Sequence, residues 1–140
     1  MSATTYEVHF AGSHHGRKEL REGPEPVAMT PTGQVRPARV ARLVALAHRV
    51  EWLVRSGQFR DYAQVALAAG ITRARASQLV DLTLLAPDIQ ERLLLMERRG
   101  GEPELVGEQH LRSIVREPDW NKQRSRFNEL VACLSARRSD

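Results

Sequence analysis

The chain has 140 residues, of which 41% are hydrophobic and 27% are charged, as expected of an ordinary soluble globular domain. Its longest apolar runs fall short of the ~18 residues of a membrane span, and its start does not resemble a signal peptide, so a cytoplasmic protein without membrane contact is predicted. A lone cysteine, Cys133, excludes internal disulfides and a multi-cysteine zinc site.

The formal net charge of +4 is concentrated in one stretch of the chain. Residues 1–35 carry three basic and four acidic side chains, whereas residues 36–60 carry six arginines against Glu51. A local cationic excess of this kind is typical of proteins that bind a polyanion.

The first 36 residues are predicted to form an N-terminal arm and linker outside the main domain. Apolar and polar residues alternate over positions 6–10, as in a short strand, and residues 11–16 are turn-like, so the arm is either extended or a β-hairpin. Residues 23–37 contain four prolines and two glycines, which is typical of a linker.

Residues 37–136 are predicted to form one all-α domain of about six helices. Apolar residues recur every three or four positions from Val40 to Val54, which predicts a long first helix with Pro37 in its first turn and an end before Gly57. Further helices are predicted at residues 62–69, 73–85, from 87 to the pair Gly100-Gly101, 111–115 and 118–136.

The segment from residue 62 to residue 81 has the pattern of a helix-turn-helix. Such a motif needs a small residue in its first helix and a glycine at the turn, and Ala66 and Gly70 satisfy both demands. Thr72 can cap the second helix. The predicted wedge between the helices comprises Val65, Ala69, Ile71, Ala76 and Leu79. An ordinary αα-corner would use similar turn chemistry.

The second helix of this motif carries side chains suited to reading bases. Arginine pairs with guanine, glutamine with adenine, and serine with either bases or phosphates. The predicted base-reading residues are Arg73, Arg75, Ser77 and Gln78, and the predicted phosphate-binding residues are Thr72, Arg36, Arg39, Arg42 and Arg49.

These stretches also resemble the helix-turn-helix of the ParB/KorB class. The similar residues run from Gly70 to Val80 and continue through Leu82-Thr-Leu-Leu-Ala-Pro-Asp-Ile-Gln-Glu, as a recognition helix followed by a leucine-rich turn and a further helix. The chain is also similar, over roughly residues 36–127, to small bacterial proteins encoded beside site-specific recombinases on mobile elements. The resemblance implies DNA binding and a role in the control of a mobile element.

One departure limits what the resemblance implies. Full ParB proteins have an N-terminal nucleotide-binding domain, for which the 36 residues before the first helix are too few, and the chain has no glycine-rich phosphate loop. Segregation and nucleotide-dependent sliding are therefore not expected here.

Catalysis, metals and cofactors are not expected. The five histidines lack ligand spacing, and the acidic residues form no recurring pair. Cys133 is predicted to be a buried, inert thiol on the apolar side of the last helix.

The last helix allows two interpretations of its apolar stripe, which contains Trp120, Phe127, Leu130, Val131 and Leu134. The stripe either packs on the protein's own core or forms a homodimer seam through Trp120, Phe127, Leu130 and Leu134.

The predicted function is sequence-specific binding of double-stranded DNA at the nucleoid, in transcription regulation or recombination of a mobile element. The alternative is a protein-interaction adaptor for a site-specific recombinase without DNA specificity of its own. RNA binding is less favoured, because few aromatic residues are available for base stacking.

Overall fold

A computed structural model of the protein describes residues 8–12, 18–23 and 33–140. The chain divides into two compact units, Met1–Pro31 and Thr32–Asp140. In the first unit, strand β1 (Val8–Gly12) pairs antiparallel with β2 (Lys18–Glu22). A short β arm is therefore confirmed, two residues later than the strand predicted at 6–10. The predicted turn beyond residue 12 and most of the predicted linker lie outside the described residues.

The second unit is mostly helical, as predicted. In chain order it contains β3 (Val35–Pro37), α1 (Arg39–Arg55), α2 (Tyr62–Ala69), α3 (Arg73–Val80), a 3-10 turn (Asp81–Leu84), α4 (Pro87–Leu94), β4 (Glu97–Arg99), α5 (Glu108–Val115) and α6 (Trp120–Ser139). The all-α class with about six helices is confirmed for the part of the chain that the structure describes.

A two-stranded ribbon was not predicted in this unit. Strand β3 pairs antiparallel with β4, so that Arg36 lies opposite Arg98. The prediction that Pro37 lies in the first turn of a helix is wrong, because Pro37 ends β3 and α1 begins at Arg39. Likewise the fourth helix ends at Leu94 rather than near Gly100, since the next residues turn into β4.

The start of α1 is fixed by a distant carboxylate. Ala38, the residue before the helix, has no side chain that could cap it. Instead the backbone N–H of Arg39 donates to both carboxylate oxygens of Glu104, at 3.0 and 3.1 Å. A negative charge at a helix N-terminus stabilises both the unpaired amides and the helix dipole.

The third helix is shorter than predicted because two glutamines hold the chain after it in a non-helical path. Buried Gln90 donates through Nε2 to the carbonyls of Thr83 and Leu85, at 2.9 and 2.7 Å. Buried Gln123 accepts the N–H of Ala86 at 2.8 Å. Pro87 disfavours the helical conformation at the residue before it, so the helix cannot run through this point.

The core of the second unit lies between α1, α4, α5 and α6. Fully buried members include Val44, Leu85, Leu93, Leu111 and Phe127. Helix α1 packs against both α3 and α4. Burying these apolar side chains is the main stabilising contribution of the unit.

Candidate nucleic-acid interface

The turn between α2 and α3 has the backbone geometry predicted for it. Gly70 ends α2 with φ of 67°, in the left-handed region that glycine adopts without strain. The hydroxyl of Thr72 accepts the backbone N–H of Arg75 at 3.1 Å and so caps α3. Only three residues therefore separate two helices of eight residues each.

Four of the predicted core residues of this motif are confirmed. Val65 and Ala66 of α2 and Ala76 and Leu79 of α3 are buried. Ala69 and Ile71 do not fill the wedge as predicted, because both lie at the surface, where the left-handed turn at Gly70 leads the chain outward.

The exposed face of α3 consists of Arg73, Ala74, Ser77 and Gln78, with Asp81 following at its end. Successive helical residues are about 100° apart, so these positions share one side while Ala76 and Leu79 lie opposite them. No other acidic residue occurs on α3. The face thus presents a guanidinium, a methyl, a hydroxyl and a carboxamide, all of which fit groups in the major groove.

Arg75 is placed differently from what the sequence pattern suggested. It lies on the side of α3 that faces α5, where its guanidinium forms a bidentate ion pair with Glu108. One of the two hydrogen bonds, from Nη2 to Oε2, measures 3.0 Å. The physical reason is its position beside Leu79 on the helix, which turns it away from the exposed face.

The environment of Glu108 is cationic on several sides. The hydrogen bond from Arg75 lowers the pKa of Glu108 below its ordinary range, against a smaller opposing effect of burial, and the charges of Arg112 and Arg39 lower it further. The same hydrogen bond raises the pKa of Arg75. Arg39 and Glu108 line one cavity, so the start of α1 lies near the α3–α5 contact.

The predicted phosphate-binding arginines lie at the surface of β3 and α1. Arg36 forms no ion pair with a described residue and donates from Nη2 to the side-chain oxygen of Gln34 at 2.8 Å. Arg39 and Arg42 are exposed at the start of α1, and neither side chain forms an ion pair with a described residue. Arg49 stacks on Trp52, with 4.4 Å between its guanidinium carbon and the ring centre.

Three further arginines adjoin these surfaces and were not predicted. Arg98 of β4 lines one cavity with Arg36 and Arg42. Arg112 and Arg116, one helical turn apart at the end of α5, line a cavity with Gln78 of α3. The spacing of Arg112 and Arg116 could have placed them on one helix face, but only the fold brings that face to α3.

The apolar residues of α6 are divided between the core and the surface. Phe127 is fully buried, and Leu130, Val131 and Leu134 pack against the core of the same chain. Trp120 is 48% exposed. Phe127 is thus engaged within its own chain, whereas Trp120 is open to solvent.

Cys133 is exposed, so the prediction of a buried thiol is wrong. Position 133 is rotated by about 120° from Phe127 around α6, because each residue turns the helix by about 100°. Among the described residues, no group of three or more histidine, cysteine or acidic side chains could hold a metal ion. Nor does this part of the chain contain a helix both long enough and apolar enough to cross a membrane.

No family model, curated protein or solved structure matches the chain.

Proposed function

We propose that the protein binds double-stranded DNA sequence-specifically, with α3 in the major groove as the recognition helix. The observation that carries the proposal is the exposed face of α3 after a capped three-residue turn: Arg73, Ala74, Ser77 and Gln78 point away from the core and no carboxylate interrupts them. In helix-turn-helix proteins, the N-terminal residues of the second helix contact base edges.

The proposal assigns roles by side-chain chemistry. Arg73 pairs with a guanine and Gln78 with an adenine, while the methyl of Ala74 fits a thymine methyl and Ser77 contacts either a base or a phosphate. Arg75 supports the helix through Glu108 rather than reading a base. Thr72 retains its hydroxyl proton for a phosphate, since its oxygen already accepts the N–H of Arg75.

Backbone phosphates are assigned to the arginines near the start of α1. Arg39 and Arg42 are exposed and Arg49 follows two turns after Arg42 on nearly the same face. Such contacts fix the position of the protein on the duplex and make binding depend on salt. Regulation of transcription or recombination at the nucleoid is the process that this activity would serve.

Selection from a randomised duplex library tests the proposal. The wild-type protein should enrich a defined sequence, and the double variant Arg73→Ala/Gln78→Ala should lose preference at two positions, by about 1–3 kcal/mol for each contact. A matched control is Arg137→Ala/Gln58→Ala, which removes the same two side-chain types from exposed positions outside the motif. It should enrich the wild-type sequence.

Two results would reject the proposal. If the Arg73→Ala/Gln78→Ala variant enriches the same sequence as strongly as wild type, α3 is not the reading surface. If the wild-type protein binds no duplex even at low salt, the alternative function, a protein-interaction adaptor for a recombinase, is favoured instead. Co-purification with a recombinase after nuclease treatment would then test that alternative.

A further inference from the structure

The ribbon of β3 and β4 creates a cluster of arginines from three separate parts of the chain. Arg36 and Arg98 are directly opposite in the antiparallel register, so their side chains leave the same face of the ribbon. Arg42, on α1, completes the lining of a cavity of about 240 Å³, together with Pro37. We call these three residues the arginine cluster.

The arginine cluster has more positive charge than its protein partners balance. Arg98 donates from Nη1 to Oε1 of Glu104 at 3.3 Å, and Glu104 is already shared with the start of α1. Among the described residues, the hydrogen-bond partner of the Arg36 side chain is the uncharged amide of Gln34. Arg42 forms no ion pair with a described residue. Within the described part of the chain, one carboxylate, that of Glu104, pairs with a guanidinium group of the cluster.

The fold does not require three arginines to lie together at the ribbon. Like charges directly opposite in a sheet destabilise the pair, and none of the three arginines belongs to the core. An anion in the cavity would remove the repulsion and accept charge-assisted hydrogen bonds from planar guanidinium forks, which match phosphate geometry.

The position of the cluster favours a phosphate on the same duplex that α3 contacts. Arg42 follows Arg39 by about one helical turn, and Arg39 lines a cavity with Glu108, which pairs with Arg75 of α3. The cavity is smaller than the roughly 300–1,000 Å³ usual for organic ligands, which suits a single phosphate group.

We propose that the arginine cluster, Arg36, Arg42 and Arg98, is a phosphate-binding site that holds one backbone phosphate of the bound DNA. This inference rests on the proposed function for the source of the phosphate. It gives the ribbon a role of its own, because without the pairing of β3 with β4 the cluster would not exist.

The salt dependence of duplex binding tests the site. The affinity of wild type and variants for a duplex of random sequence would be measured by fluorescence anisotropy between about 50 and 200 mM salt. Arg98→Gln should reduce the slope of log K against log salt by about 0.9, the value for one phosphate contact. Arg42→Gln should do the same, and it breaks no ion pair with a described residue.

The matched control is Arg99→Gln. Arg99 is on the same strand but lies opposite Val35, on the other face of the ribbon, and its replacement removes the same charge. It should leave the slope nearly unchanged. Arg98→Lys should recover most of the slope, because lysine keeps the charge at this position.

A second arm identifies the source of the phosphate. Inorganic phosphate added to the ¹⁵N-labelled protein should shift the amide resonances of Arg36 and Arg98, and Arg42→Gln should weaken the effect. If these shifts occur while no duplex binds, the phosphate site stands and the proposed function fails. If duplex binds but Arg42→Gln and Arg98→Gln have the same slope as wild type, the site is overturned and the proposed function stands.

Discussion

Gly70 is the residue on which the shape of the helix-turn-helix depends. Its φ of 67° lies in the left-handed region, while the space around its α-carbon is open, with no heavy atom within 4 Å of an added Cβ. The need for glycine here comes from the backbone conformation and not from a close neighbour.

Replacing Gly70 should therefore destabilise the protein through strain alone. Gly70→Ala is expected to lower the free energy of unfolding by about 1–2 kcal/mol, the cost of the left-handed conformation for a residue with a Cβ. Gly70→Asn should lose less, since asparagine tolerates this region. Urea unfolding measures both, and equal losses for the two variants would contradict the explanation by backbone strain.

At the scale of elements, the contact between α3 and α5 depends on one ion pair. Arg75 and Glu108 have side chains 29% and 14% exposed, so the pair is shielded in part from water. The pair connects the side of α3 to α5, while packing on α1 and α2 sets which face of α3 remains exposed.

The pair should make stability depend on pH in the acidic range. Because the pKa of Glu108 is lower in the folded protein than in the unfolded chain, its contribution is present above the unfolded pKa and is lost as pH falls through the folded pKa. Glu108→Gln should lower the free energy of unfolding by about 1.5–3 kcal/mol at neutral pH. The difference from wild type should shrink on acidification.

Denaturant unfolding at a series of pH values measures this effect. Glu129→Gln is the matched control, because Glu129 is exposed and has no ion pair with a described residue. A loss of stability in Glu108→Gln that is the same at all pH values would show that the carboxylate charge is not its cause.

At the scale of the whole molecule, α6 joins the core through Phe127 and leaves Trp120 at the surface. Phe127 belongs to the same buried core as residues of α1, α4 and α5, and the guanidinium carbon of Arg92 lies 4.9 Å from the centre of its ring. Most of the apolar stripe of the last helix therefore packs against the core of the same chain.

Truncating the two aromatic residues should separate a core role from a dimer role. Phe127→Ala should lower the free energy of unfolding by about 3–5 kcal/mol, as in other cores, whereas Trp120→Ala should cost clearly less. If Phe127 acts only within its chain, its loss of stability will not vary with protein concentration. If the loss of stability varies with protein concentration and sedimentation shows a dimer, Phe127 belongs to a homodimer seam.

The local sequence was sufficient to predict that the helices exist and where the turn between α2 and α3 lies, but not the start of α1 or the ends of α3 and α4. Asp61, Thr72 and Asp119 accept backbone N–H groups at helix starts, and Gly70 ends α2; both effects act within three or four residues. The burial of Ala66, Ala76 and Leu79 also followed from helical spacing. The exposed positions Arg73, Ser77 and Gln78 were predictable for the same reason.

Only the tertiary structure decided how the basic residues are grouped. Arg36 and Arg98 are 62 positions apart, and Arg75 and Glu108 are 33 positions apart. The hydrophobic periodicity of each segment therefore predicts neither contact. The ribbon consists of two three-residue strands, too short to be recognised alone. The sequence by itself determined α3 and the turn before it, whereas the partner of Arg75 and the arginine cluster arise from long-range packing.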